Sequence, residues 1–164
     1  MNGAIIEVQG VKKHFPVTRG LLFAKTIAYV KAVDGVSFAI REGETLGLVG
    51  ESGCGKTTTA KLILKLDNPS AGRVLFNGQD IQMLRGEEFR RYRTAVQAVF
   101  QDPWSSLDRR MRIRDIIAEP IVVNRTLSPH EARERVFQVM DEVGLSRSLA
   151  SRFPHEFSGG QRQR

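Results

Sequence analysis

The stretch Gly50-Glu51-Ser52-Gly53-Cys54-Gly55-Lys56-Thr57, continued by Thr58, decides how this chain folds. Its spacing is G-x-x-x-x-G-K-[ST], a loop built to hold phosphates. Glycines at 50, 53 and 55 let consecutive backbone N–H groups turn inward where side chains would collide with a phosphate. Lys56 adds a point charge for β- and γ-phosphates, and the Thr57 hydroxyl is placed to coordinate Mg²⁺. The context matters as much as the spacing. Glu44-Thr45-Leu46-Gly47-Leu48-Val49 is a mostly apolar run of buried-strand length, and Thr58 to Leu66 suits a helix packed on a sheet. Strand, loop and helix in that order place the phosphates at a positive helix N-terminus. The expected fold is α/β, with nucleotide held at this loop.

Bulk properties bound the alternatives. The 164 residues allow one domain with a sizeable core, and 41% hydrophobic with 26% charged residues is ordinary for a globular chain. No stretch approaches the roughly 20 apolar residues that cross a bilayer. The best candidate, Leu21 to Val33, carries Lys25 and Lys31. The N-terminal Met1 to Glu7 lacks the basic and apolar regions of a secretion signal. A single cysteine provides no internal disulfide framework, which fits a reducing compartment. The net charge is +7, and residues 85–114 concentrate eight arginines against four carboxylates. Such a window meets nucleic acid, anionic lipid or an acidic partner, or else forms a solvated face. No aromatic-interleaved nucleic-acid motif accompanies it.

Along the chain, Ile5 to Val11 and Val36 to Ile40 read as strands joined by a long connection that begins with turn residues at Phe15-Pro16. Asn68-Pro69-Ser70-Ala71-Gly72 stops the helix after the loop. Arg73 to Phe76 reads as a short strand followed by an Asn77-Gly78 turn, and Ala95 to Phe100 as a further apolar strand before Gln101. From about residue 104 the pattern is helical. Ser128-Pro129-His130-Glu131 is a capping box, after which Ala132, Val136, Val139, Met140 and Val143 share one face up to Gly144. The three histidines show neither metal spacing nor a nucleophile partner.

The chain closes on Phe157-Ser158-Gly159-Gly160-Gln161, whose glycines after a serine form a flexible linker or, beside a phosphate loop, open a helix with free N–H groups. Together the phosphate loop, Gln101 after an apolar run, and this closing motif resemble the ATP-binding domain of ABC transporters. The resemblance covers essentially the whole chain, with Phe157 standing where leucine is usual. Lys12-Lys13-His14-Phe15-Pro16-Val17, the insert up to Lys31-Ala32-Val33-Asp34-Gly35, and Phe100-Gln101-Asp102-Pro103-Trp104-Ser105-Ser106-Leu107 narrow it. They resemble the ATPase subunits of dipeptide and oligopeptide importers, with nickel and glutathione relatives. Asp108 and Arg109 stand where that branch often has asparagine and proline.

The resemblance implies a P-loop NTPase of ABC type, with an incomplete parallel-sheet core, a small antiparallel β subdomain and a helical subdomain. The core and antiparallel part would occupy residues 1–103, the helical subdomain 104–157, and the start of the signature helix 158–164. ATP and Mg²⁺ would be the cofactors. Phe15 would stack on adenine, with Tyr29 a weaker rival, and Thr57 and Gln101 would face Mg²⁺ and the attacking water. Phe157, Ser158, Gly159, Gly160 and Gln161 would reach ATP held by a second ATP-binding subunit, in a homo- or heterodimer. Membrane-spanning permease subunits and, indirectly, a solute-binding protein would be the other partners, with no nucleic acid. The chain would work at the cytoplasmic face of the inner membrane. No apolar run ending in Asp-Glu occurs in the 164 residues, so the expectation is a nucleotide cradle without its catalytic half. The isolated chain is expected to aggregate or fold only in part. Two other readings fit the same residues, a soluble ABC ATPase acting on nucleic acid and a non-catalytic nucleotide-binding remnant.

Overall fold

The computed structural model describes residues 3–19, 25–101, 107–124 and 127–162. The chain divides into two compact units, Met1–Ala98 and Val99–Arg164. In the first, β1 (Ala4–Arg19) and β2 (Lys25–Arg41) form a long antiparallel hairpin. Strand β3 (Ala71–Phe76) pairs along the other edge of β1, and β4 (Gln79–Asp80) pairs with β3, in the order β2-β1-β3-β4. Ile6 and Val8 alternate into the core. Gly10, at φ 55°, then opens a register shift that changes the parity, so that Val11 is buried instead of the next even residue. Across the ladder a Cβ at Gly72 would lie 2.3 Å from the Gly10 carbonyl oxygen, so the bulge is accommodated only by glycine. Asn77 and Gly78 both take positive φ (49° and 80°) and make the tight turn between β3 and β4.

The long connection after Phe15 departs from its expected loop character. It continues the hairpin, with Phe15 opposite Val30 and Pro16 opposite Tyr29. The β3 ladder ends at Lys12, so Pro16 lies on a strand paired along one edge alone, where its missing N–H costs nothing. Two runs expected as strands are also corrected. Glu44 to Val49 and Val96 to Phe100 form no ladder, and Val49 and Val99 are 89% and 95% exposed. A parallel strand exists only where neighbours pair with its backbone, and none lies alongside these runs among the described residues.

Helix α1 (Lys56–Ile63) starts within the loop motif and stops earlier than Leu66. Lys65 turns left-handed at φ 53° while the Leu66 N–H donates to the Lys61 carbonyl at 2.9 Å and the Lys65 N–H to Leu62 at 3.1 Å. This pair of bonds closes the helix without a glycine. From α2 (Gly86–Ala95), the buried Tyr92 hydroxyl donates to the Ile63 carbonyl and its ring meets Phe76 edge-on at 5.1 Å. Burial pushes the Tyr92 phenol up to about 12. Leu62, Val74, Ile81 and Tyr92 centre this core.

The second unit holds α3 (Ile113–Asn124), α4 (Pro129–Glu142), two 3-10 turns at Arg147–Ser151 and Pro154–Glu156, and the four-residue α5 (Gly159–Arg162). The Ser128 capping box forms as expected, with Oγ accepting from the Glu131 N–H and the Glu131 carboxylate accepting from the Ser128 N–H. Hydrogen bonds from Ser128 hold the Glu131 carboxyl below its ordinary range. Ala132, Val136 and Met140 are buried as the pattern indicates, whereas Val143, at the C-cap, is exposed. Gly144 follows at φ 68°.

Candidate nucleotide-binding site

The loop's geometry follows from its glycines. Gly50, Gly53 and Gly55 take φ of 154°, 82° and 97°, so the backbone coils from Gly50 into α1 with Gly55 as the N-cap. The α1 ladder opens with the Thr59 N–H donating to the Gly55 carbonyl at 2.8 Å, and the Thr59 hydroxyl donates to the same oxygen at 3.0 Å. The amides ahead of it point out of the helix end toward the loop mouth. The Lys56 ammonium curls back into the loop, donating to the carbonyls of Gly50 at 2.7 Å and Glu51 at 2.6 Å. It also lies 3.5 Å from the Cys54 thiol. That thiol, exposed, lies against Gly50, where a Cβ would sit 2.6 Å from its sulfur. Glu51, Ser52 and Thr57 are exposed, while Thr58 is half-buried. Cation and exposed Thr57 hydroxyl thus share one helix mouth, a donor set that fits a phosphate with its divalent cation.

Sequence reasoning missed what fixes the loop's floor. Lys13 pairs with Val33 and His14 with Lys31, leaving Ala32 as the extra residue of a bulge in β2. The Ala32 carbonyl consequently faces Gly55, where a Cβ would approach its oxygen to 2.2 Å. The glycine at 55 was legible as a loop residue; the bulge that makes it obligatory has no local sequence signal.

Phe15 is 40% exposed on the hairpin, with the Lys13 ammonium 4.9 Å from its ring centroid, and Tyr29 is also exposed. Gln101 is exposed and belongs to the second unit. Asp102 to Ser106 lie outside the described residues, as do Gln163 and Arg164. In the closing motif Phe157 is buried, and Ser158 heads α5 in a reciprocal arrangement. The Ser158 N–H donates to the Gln161 side-chain oxygen at 3.0 Å and the Gln161 N–H to Ser158 Oγ at 3.4 Å.

The arginine window divides between the units, four on or beside α2 and four in the second unit. Several already have protein partners. Arg85 donates to the Gln82 and Leu84 carbonyls, Arg90 pairs with Glu87, and Arg112 donates to the Ser151 carbonyl. Among the described residues no group of histidine, cysteine, aspartate or glutamate is arranged to hold a metal, and no helix is long and apolar enough to cross a membrane.

The phosphate-loop motif at the head of α1, beside a hairpin-based sheet, has the form of an ATP-binding cassette, and comparison with known proteins gives the family. The family model "ABC transporter" matches residues 33–164, so the chain belongs to that family. A similar curated relative is the oligopeptide transport ATP-binding protein AppF of Bacillus subtilis, 50% identical over 98% of this chain and 49% of its own length. The dipeptide transport ATP-binding protein DppF of Haemophilus influenzae is 44% identical over 99% of this chain and 49% of its own. The chain therefore spans about half the length of the curated relatives it matches. Among solved structures, the ATP-binding cassette MJ0796, a dimer bound to ADP and Pi, aligns with TM-score 0.73 at 24% identity, over 96% of this chain and 65% of the other. CbiO1 of Clostridium perfringens, part of the transporter complex cbiONQ, aligns with TM-score 0.71 at 25% identity, over 98% and 58%.

Proposed function

We propose that this chain is the ATP-binding part of a peptide-type ABC importer, in which nucleotide binding and hydrolysis are coupled to solute uptake. The observation that carries the reading is the loop itself, with Lys56 drawn into it and Thr57 exposed at its mouth. Backbone amides from Glu51 to Thr58 wrap the phosphates, and Lys56 exchanges the Gly50 and Glu51 carbonyls for phosphate oxygens. Thr57 holds Mg²⁺, which spreads the charge of the β- and γ-oxygens when bound. Phe15 offers a π-face to adenine, which gives affinity with little base selectivity. Ser158 and Gly160 serve the ATP of a second ATP-binding subunit, and permease subunits receive the resulting motion at the cytoplasmic membrane face. Peptide solutes are supported by relatives named for oligopeptide and dipeptide transport.

The test is Mg-ATP binding by titration calorimetry, wild type against Lys56→Ala. Loss of binding by about 100-fold or more is expected, because a charge-assisted phosphate contact is removed in a preformed cradle. Undiminished binding in the variant refutes the site. With the permease subunits present, peptide uptake that persists in Lys56→Ala refutes the coupling.

A further inference from the structure

The hairpin that carries Phe15 is tied to both ends of the helix that carries the phosphate loop. At the helix N-terminus the contact is Gly55 against the Ala32 carbonyl of the β2 bulge. Past the C-terminus the segment Asp67–Ser70 grips residues 12–14 of β1. The Lys13 ammonium donates to the Asp67 carboxylate at 2.6 Å and to the Asn68 carbonyl at 2.8 Å. The Ser70 hydroxyl accepts from the His14 N–H at 3.0 Å and donates to the His14 carbonyl at 3.3 Å. The Ser70 N–H donates to the Lys12 carbonyl at 2.7 Å. Lys13 also reaches Phe15, with its ammonium 4.9 Å from the ring centroid. Its side chain is 14% exposed, so its charge is partly desolvated and its two oxygen partners fix its position. The Lys13 hydrogen bond also holds the Asp67 carboxyl below its ordinary range, as a charged pair requires.

A cation over one face of an aromatic ring is attracted to that face and restricts its rotation. A purine then stacks on the face left open. We propose that Lys13, anchored by Asp67 and Asn68, is a positioning residue that sets the Phe15 ring relative to the phosphate loop, so that adenine and triphosphate are engaged together. The inference rests on Phe15 as the adenine platform. It adds a specific prediction: Lys13 contributes to the base half of nucleotide affinity and not to the phosphate half.

Calorimetric titration of the full chain with Mg-ATP and with Mg-tripolyphosphate separates the two halves. Phe15→Ala is expected to weaken ATP about ten-fold with tripolyphosphate unchanged. Lys13→Met and Asp67→Asn are each expected to weaken ATP about three- to five-fold, again with tripolyphosphate unchanged. Lys13→Arg, which keeps a cation over the ring, is expected to stay within about two-fold of wild type. If Phe15→Ala weakens ATP and Lys13→Met does not, the positioning role is overturned while the adenine platform stands. If Lys13→Met weakens both ligands equally, Lys13 holds the fold rather than the ring, and the inference is again overturned. If Phe15→Ala leaves ATP unaffected, the adenine platform itself fails and the positioning role with it.

Discussion

The antiparallel hairpin and the segment leading into the phosphate loop have equally apolar sequences and opposite fates. Ile6, Val8 and Val11 sit within a sheet paired on both edges of β1 and are buried. Leu46, Leu48 and Val49 alternate less cleanly, pair with nothing among the described residues, and are exposed. An apolar run becomes a strand through its neighbours; an antiparallel pair finds its partner nearby in sequence, and a parallel strand depends on distant chain. The phosphate loop, in contrast, keeps its shape beside an unpaired run. Its form comes from glycine dihedrals, the first turn of α1 and the Ala32 contact, all of them local or within the hairpin.

The largest expected effect tests that contrast directly. Val74→Asp, a charge placed at a fully buried position of β3, is expected to cost about 3–5 kcal/mol and abolish soluble expression. Val49→Asp and Val99→Asp are expected to change stability by no more than about 0.5 kcal/mol in urea titrations. Equal damage at all three sites breaks the contrast. Next in size is Gly55→Ala, which forces a Cβ onto the Ala32 oxygen at positive φ. It is expected to cost about 2–3 kcal/mol and to weaken Mg-ATP in calorimetry, whereas Gly47→Ala, with open space at its Cβ, is expected to do neither. Tyr92→Phe removes the hydroxyl that donates to the Ile63 carbonyl at the end of α1 and is expected to cost about 1–2 kcal/mol in the same titrations. The smallest effect concerns pH. Asp67 is depressed below its ordinary 3.8, chiefly by the Lys13 hydrogen bond, so its contribution is complete above about pH 4 and fades as pH falls through the depressed value. Asp67→Asn is expected to flatten that acid limb of the stability curve.

The loop's local backbone geometry was more legible in the sequence than the architecture around it. Gly50, Gly53, Gly55, Lys56 and Thr57 are a dihedral and charge pattern, complete within eight residues, and they fold as read. The Ser128 capping box and the Asn77-Gly78 turn are equally local, and both form. What was not legible depends on residues far apart in the chain. The insert after Phe15 begins with Pro16, which suggests a loop, yet cross-strand pairing sets Phe15 to Arg19 against Lys25 to Val30. The Ala32 bulge and the Lys13–Asp67 contact each need a partner whose position no periodicity reveals.

The central claim is that the Gly50–Thr57 loop cradles the phosphates of ATP, and the chain's single cysteine lies inside that loop, exposed. The direct measurement is the rate of Cys54 alkylation with and without Mg-ATP. Saturating Mg-ATP is expected to slow labelling at least about ten-fold in the wild type and to have no effect in Lys56→Ala, with labelled protein unable to bind nucleotide. Equal labelling rates in the presence and absence of Mg-ATP in the wild type contradict it.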